Sequence, residues 1–235
     1  MKTTAACQAK KSVPDLLAKG HYYIEKVIAI KDAERKPQYI VQLEITNSFE
    51  DAKRIYTSQR QNNERLEIPY FLDVSDYFKK WDENYAHNIL MYISEIAYDN
   101  PKALKILAYK LESQGKYEEA KQIYQRIVVL RPKQAQSYRD LALIYEATGN
   151  YEEAIELYAQ MLGNKIDGVD FTSLTNVITN ELKHLLALNR DKVDYSNVDA
   201  EFLDSKFKID LRMVFDYNDT KTAFDLQFVN PQKKF

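Results

Sequence analysis

GKYEEAKQIYQRIVVLRP at residues 115–132 is followed by GNYEEAIELYAQML at 149–162, and the two stretches align without a gap. Gly115 and Gly149, Tyr117 and Tyr151, Ala120 and Ala154, and Tyr124 and Tyr158 each stand 34 positions apart. Upstream, ALKILAYKLES and SYRDLALIYEA carry small and large residues in the same order, Leu107 with Leu141, Ala108 with Ala142 and Leu111 with Tyr145. A unit of helix, turn and helix at this period cannot bury its apolar face alone. It does so by stacking on its neighbours, small residues letting paired helices approach and large ones filling the seam.

Over 101–166 this pattern is similar to tetratricopeptide repeats, and the resemblance implies a mainly α fold, a tetratricopeptide α-solenoid. Shifting the template back by 34 places Ala86 on Ala120, Leu90 on Tyr124 and Ile93 on Ile127. The same shift places Val74 on Ala108, Tyr77 on Leu111 and Trp81 on the turn glycine. Residues 69–99 are therefore expected to form a degenerate first repeat ahead of two clear ones, 101–132 and 135–163. Terminal repeats are commonly atypical because one face has no neighbour.

Apolar periodicity changes on either side of this block. Tyr22, Ile24, Ile28 and Ile30, then Tyr39, Val41, Leu43 and Ile45, alternate with polar residues, which predicts a β-hairpin across KDAERKP. Val13–Lys19 reads as a short helix. Ser48 with Asp51 predicts a capped helix that ends in the polar stretch SQRQNNER. Asn100-Pro101 caps and opens a helix in the same way. Beyond the repeats, Asp170 precedes helical spacing from Phe171 to Leu186, expected to cover the open end of the stack as a capping helix over 171–189. Ile209, Leu211, Met213, Phe215 and Tyr217, then Phe224, Leu226 and Phe228, predict a second hairpin. The expected organisation is a hairpin and helix over 1–65, repeats and capping helix over 66–190, and the start of an incomplete C-terminal β-domain over 205–235.

Composition narrows function. The 235 residues include 45% hydrophobic and 29% charged, with 5 Gly and 6 Pro, an ordinary globular balance that favours long helices. A formal net charge of −2 without a basic block argues against nucleic-acid binding. One cysteine, Cys7, excludes an internal disulfide and a multi-cysteine zinc site. No apolar run reaches the roughly 18 residues of a membrane span. Met1–Lys11 lacks the apolar core of a secretion signal, so a cytoplasmic location is expected as written, or the cell envelope or periplasm if the N-terminus is truncated.

A wider resemblance covers roughly 71–231. FLDVSDYF at 71–78, DNPKALKILAYKLE at 99–112, and RPKQAQSYRDLAL at 131–143 resemble multidomain bacterial proteins in which tetratricopeptide repeats precede a β-domain. That domain begins D-L-R-x-V and continues to D-L-x-V-x-x-P; here it reads Asp210-Leu211-Arg212-Met213-Val214 and Asp225-Leu226-Gln227-Phe228-Val229-Asn230-Pro231. Relatives of this kind often carry inter-alpha-trypsin-inhibitor and von Willebrand A-type domains. The resemblance implies a piece of a larger bacterial assembly. Ala223 replaces the first Asp of the acidic D-x-D that usually stands there, so no metal is expected.

The same resemblance maps a concave, partner-binding face onto the first helix of each clear repeat. It falls on Lys102, Lys105, Tyr109 and Glu112, and on Gln136, Arg139, Leu143 and Glu146, each set on one helical face. Repeats that clamp a chaperone's terminal carboxylate resemble one another in Lys and Asn at fixed positions. Lys105 fits, but Tyr109 and Asp140 stand where Asn belongs. His21, His87 and His184 lie far apart, without ligand spacing, and no nucleophile motif or phosphate loop occurs. Glu118-Glu119 and Glu152-Glu153 suit the positive end of a helix dipole better than acid–base chemistry. The expected function is thus non-catalytic scaffolding through a protein or peptide partner, with no cofactor; the alternative is glycan or envelope binding through the β-segments.

Overall fold

The computed structural model describes residues 36–62, 67–189, 191–196 and 198. Helices follow one another as α1 (Gln38–Glu44), α2 (Phe49–Asn62), α3 (Ile68–Phe78), α4 (Glu83–Ile96), α5 (Pro101–Ser113), α6 (Tyr117–Leu130), α7 (Ala135–Ala147), α8 (Tyr151–Leu162) and α9 (Thr175–Asn189). A single 3₁₀ turn, Thr172–Leu174, precedes α9. Consecutive helices pair and stack in chain order, which gives a helical solenoid. No described helix is long and apolar enough to cross a membrane.

The two clear repeats are α5–α6 and α7–α8, and their turns show why glycine recurs. Gly115 has φ +71° and Gly149 φ +75°, the left-handed region. This residue lets the chain reverse so that Lys116 N–H reaches Leu111 O at 2.9 Å and Asn150 N–H reaches Tyr145 O at 2.9 Å. Both close a helix end whose carbonyls would otherwise be unpaired. A Cβ at either glycine would meet nothing within 4 Å, so the requirement is on φ alone. Asn164, φ +51°, ends α8 in the same manner, with Lys165 N–H on Gln160 O at 2.9 Å. At the other ends, Asn100 accepts from Lys102 and Ala103 N–H and Ser48 from Asp51 N–H, two of the caps expected from sequence.

Upstream, two expectations are corrected. Tyr39–Ile45 is not a strand: Gln38–Glu44 is helical, with Leu43 fully buried. The polar stretch SQRQNNER does not begin a loop at Ser58 either, since α2 continues into it as far as Asn62. Among the described residues there is no strand. The expected helix at 13–19, the strand at 22–30 and the hairpin at 209–228 lie outside the described residues.

Helix α2 instead stands 34 residues before α4, with Ser48 against Asp82, Ile55 against Ile89 and Tyr56 against Leu90. The small position makes the register plain. Ala52, Ala86, Ala120 and Ala154 are each no more than 1% exposed, one in every second helix of a pair. Leu43, Ala52 and Tyr56 share one apolar cluster with α3–α6. The solenoid thus begins one helix pair earlier than the sequence reading placed it.

The register of α3 is corrected as well. Its buried residues Tyr70, Phe71, Val74, Ser75 and Phe78 stand 33, not 34, before Ala103, Leu104, Leu107, Ala108 and Leu111. Ser75 therefore holds the small position expected for Val74, and Phe78 the large one expected for Tyr77. The turn into α4 is one residue shorter, without a glycine: Trp81 and Asp82 N–H both bond Phe78 O, at 2.9 and 3.0 Å. Asp82 then caps α4 by accepting from Tyr85 N–H at 2.9 Å. At this small position Ser75 Oγ donates to Ala86 O at 2.8 Å, so its hydroxyl is buried without loss.

Between the first two pairs the seam is filled by rings. Phe78 meets Phe49, Tyr56, Tyr77 and Tyr85 edge-on, with centroids 5.0–6.1 Å apart. Each such pair is worth about 0.5–1.5 kcal/mol beyond the area it buries. The hydroxyls reach polar partners: Tyr39 donates to Asp73 at 2.7 Å, Tyr70 to Gln59 at 3.0 Å and Tyr77 to Leu43 O at 2.6 Å.

Candidate functional site

The first helices of the pairs, α3, α5 and α7, form one layer, and α9 joins it. On α5, Ala103, Leu104, Leu107, Ala108 and Leu111 face the core. The residues left on the opposite side are Lys102, Ile106 and Tyr109, all exposed, the last two to 40% each. Pro101 at the first helical position, behind the Asn100 cap, fixes where this helix starts and hence where those residues point.

Lys105 lies at the border with α7. Its Nζ is 2.8 Å from Asp140 Oδ2 and 5.4 Å from the centre of the Tyr109 ring. Burial disfavours the ammonium, but the Asp140 carboxylate and Tyr109 outweigh it and hold Lys105 above its ordinary value. Gln136 Nε2 donates to the other Asp140 oxygen at 2.7 Å. Tyr109 also packs edge-on against Tyr124, centroids 6.5 Å apart, and the Tyr124 hydroxyl donates to Glu112. Burial first, and the Glu112 charge second, push the Tyr124 phenol up, so it remains a neutral donor. Lys105, Tyr109, Glu112 and Gln136 are thereby brought together, through Asp140 and Tyr124.

Arg139 is placed differently. It is buried against α9, where Nε lies 3.2 and 3.0 Å from the two Glu181 oxygens and a terminal nitrogen 2.6 Å from one of them. Side-chain exposure is 7% for Arg139 and 0% for Glu181. The arginine therefore faces α9 rather than solvent. Leu143 and Glu146 are half-buried on the same helix.

These two ion pairs are one device used twice. Lys105 and Arg139 are 34 apart, and each reaches a carboxylate on the next helix of the layer. Glu181 corresponds to Asp140 at a spacing of 41, and the same spacing takes Ser137, Leu141 and Ile144 of α7 to Ile178, Leu182 and Leu185 of α9. Thus α9 is a further first helix, delayed by the longer connection at 163–174. Asp170 organises that connection by accepting from Thr172 N–H at 2.9 Å. A related tie joins α5 to α3, where Lys110 Nζ lies 2.7 Å and Lys79 Nζ 2.9 Å from the Asp76 oxygens. Burial raises the Asp76 pKa, but the two lysines prevail and lower it.

Sequence reasoning missed Ile106, Tyr124 and Glu181. Ile106 was available from the helical wheel, and Tyr124 from its place opposite Glu112. Glu181 carried no signal, because its register depends on the longer connection before α9. His87 pairs with Glu119 at 2.8 Å, joining α4 to α6. Glu118 and Glu119 stand in the first turn of α6, as the dipole argument placed them, and Glu118 also meets Lys121 at 2.7 Å. Among the described residues, no three His, Cys, Asp or Glu side chains group to hold a metal.

Residues 107–168 match the family described as tetratricopeptide repeat. No curated protein matches the chain. The match runs from mid-α5 into the connection after α8, and with the stacked helix pairs it supports a tetratricopeptide-repeat protein. Such repeats generally mediate protein–protein interaction or scaffolding and are generally non-catalytic.

Proposed function

We propose that this chain is a scaffold module of a larger bacterial assembly, and that it holds a segment of a protein partner along the first-helix layer. The observation that carries the reading is the pair Ile106 and Tyr109, each 40% exposed and one turn apart on α5. Adjacent apolar side chains on one helical face offer the kind of surface that a partner segment covers. Lys102, Gln136, Leu143 and Glu146 flank them in this reading. Lys105 and Glu112 hold Tyr109 and Tyr124 in position, and Arg139 acts from behind by fixing α9. The larger assembly rests on the residues 210–214 and 225–231 that resemble a β-domain entrance.

The test is a capture experiment from bacterial lysate with the whole chain and an Ile106→Ser, Tyr109→Ala variant of equal helicity. A protein retained by the parent and lost by the variant is expected. Equal retention by both moves the site elsewhere on the molecule.

A further inference from the structure

We infer that the seam between α3 and α5 is the anchor point of the proposed groove, and that it takes a bulky, uncharged apolar side chain of the partner segment. The inference rests on the proposed role of the first-helix layer as the binding face. Along that layer a polar pair recurs at one place in the register. Tyr39 donates to Asp73 at 2.7 Å, Lys105 Nζ lies 2.8 Å from Asp140, and Arg139 closes on Glu181. Residues 39, 72, 105 and 139 share one register position, and residues 73, 106, 140 and 181 share the next. The pair due between α3 and α5 is therefore Leu72 with Ile106, and this step alone of the four has no polar side chain. Leu72 is half-buried against the core, and Ile106 is 40% exposed. Pro69, exposed on α3, takes the place of Lys102, and Tyr109 stands one turn beyond Ile106. An apolar break thus interrupts a ladder of polar ties.

The surrounding charges set what can fill that break. Asp73 accepts from Tyr39, Asp76 is held by Lys79 and Lys110 one turn along the same seam, and Lys105 is held by Asp140. Glu112, half-buried beyond Tyr109, accepts from the Tyr124 hydroxyl, and Glu146 lies farther off on α7. Lys102 is exposed at the rim, where it stays hydrated. Both signs are therefore present and matched within the chain. A charged anchor would break one of these pairs or lie unmatched against Leu72 and Ile106, a cost that an apolar anchor avoids. At the other seams the same apolar insertion would cover a polar tie and strip it of water. Between α3 and α5 it covers hydrocarbon, so burial there is favourable without that penalty.

Random peptides displayed on phage are selected against the intact chain, and enriched peptides are measured on the parent and on three variants. Leu72→Lys with Ile106→Asp installs the missing polar pair, Tyr109→Ala tests the face on α5, and Lys102→Gln removes the rim charge. Circular dichroism melts check each fold, and Leu72→Ser replaces the paired variant if that one does not fold. The expected result is enrichment of peptides that share a bulky apolar residue with no fixed charge beside it. Affinity should fall about tenfold or more on the paired variant and on Tyr109→Ala, as for loss of an interface anchor, and stay within about threefold on Lys102→Gln. Peptides that weaken on Tyr109→Ala but hold on the Leu72 variant overturn the seam as anchor and leave the proposed binding face standing. A charged residue fixed in the enriched peptides, or a tenfold loss on Lys102→Gln, overturns the uncharged anchor. No enrichment, or binding unaffected by every variant, overturns both this inference and the reading beneath it.

Discussion

The pairs α1–α2 and α3–α4 and the pairs α5–α6 and α7–α8 build the same stack by different means. In the later pairs, alanine meets leucine or tyrosine across the seam and a left-handed glycine reverses the chain. In the earlier ones, Phe49, Tyr56, Tyr70, Phe78 and Tyr85 fill the seam, Ser75 replaces alanine, and the α3–α4 turn has no glycine. What the two halves share is the Ala52–Ala86–Ala120–Ala154 series. The close approach within a pair is therefore the invariant of the stack, and the filling between pairs is negotiable.

The largest effect should come from breaking the aromatic half. Phe78 is fully buried among four rings, and Phe78→Ala is expected to cost about 4 kcal/mol, since large rigid neighbours collapse poorly onto a cavity. Chemical denaturation of the parent and variant measures it. A loss near 1 kcal/mol would mean that the ring layer is loosely filled and that the halves differ less than described.

Next in size is Glu181→Ala, expected to cost about 3 kcal/mol because Arg139 is left charged and buried. The equivalent Asp140→Ala strips a partner from Lys105, which is 33% exposed and can turn to water, so its cost should be clearly smaller. Thermal melts of the two variants side by side decide this. Equal shifts would show that burial does not separate the two ties.

The smallest effect concerns Asp76 at the junction of the halves. Its folded pKa is lowered, so its ion pairs contribute stability above the unfolded pKa, and this is lost as pH falls through the folded one. Asp76→Asn should therefore be slightly less stable than the parent near neutrality, by about 1 kcal/mol or less because the lysines are part-exposed, and the difference should close as pH falls below about 4. Unchanged acid dependence in the variant would remove Asp76 from the account.

The later pairs were legible in sequence because small residues, large residues and a glycine recur together, and few other folds need that combination. The first pair was hidden by coincidence of periods. In a segment as short as 39–45, the residues at 39, 41, 43 and 45 alternate, while Tyr39, Ile40 and Leu43 also form one helical stripe. Packing against α3 decides for the helix. A signal was present: a further shift of 34 takes Ala86 to Ala52 and the Asp82 cap to Ser48. The one-residue slip of α3 escaped because an ungapped template cannot register a shortened turn. The candidate site was half legible. Spacing put Lys105 and Arg139 on one face, and the structure keeps both at equivalent positions, but only the fold reveals that Glu181 closes over Arg139.

The paired charges at 105/140 and 139/181 also govern how the stack can grow. Helix α7 presents a cation forward to α9 and receives one from α5 behind it, like a plug and a socket. Another unit fits between α8 and α9 only if it offers a carboxylate to Arg139 and an arginine to Glu181. A unit lacking either would bury an unmatched charge. The length of this solenoid is therefore written into its polar contacts as well as its apolar ones.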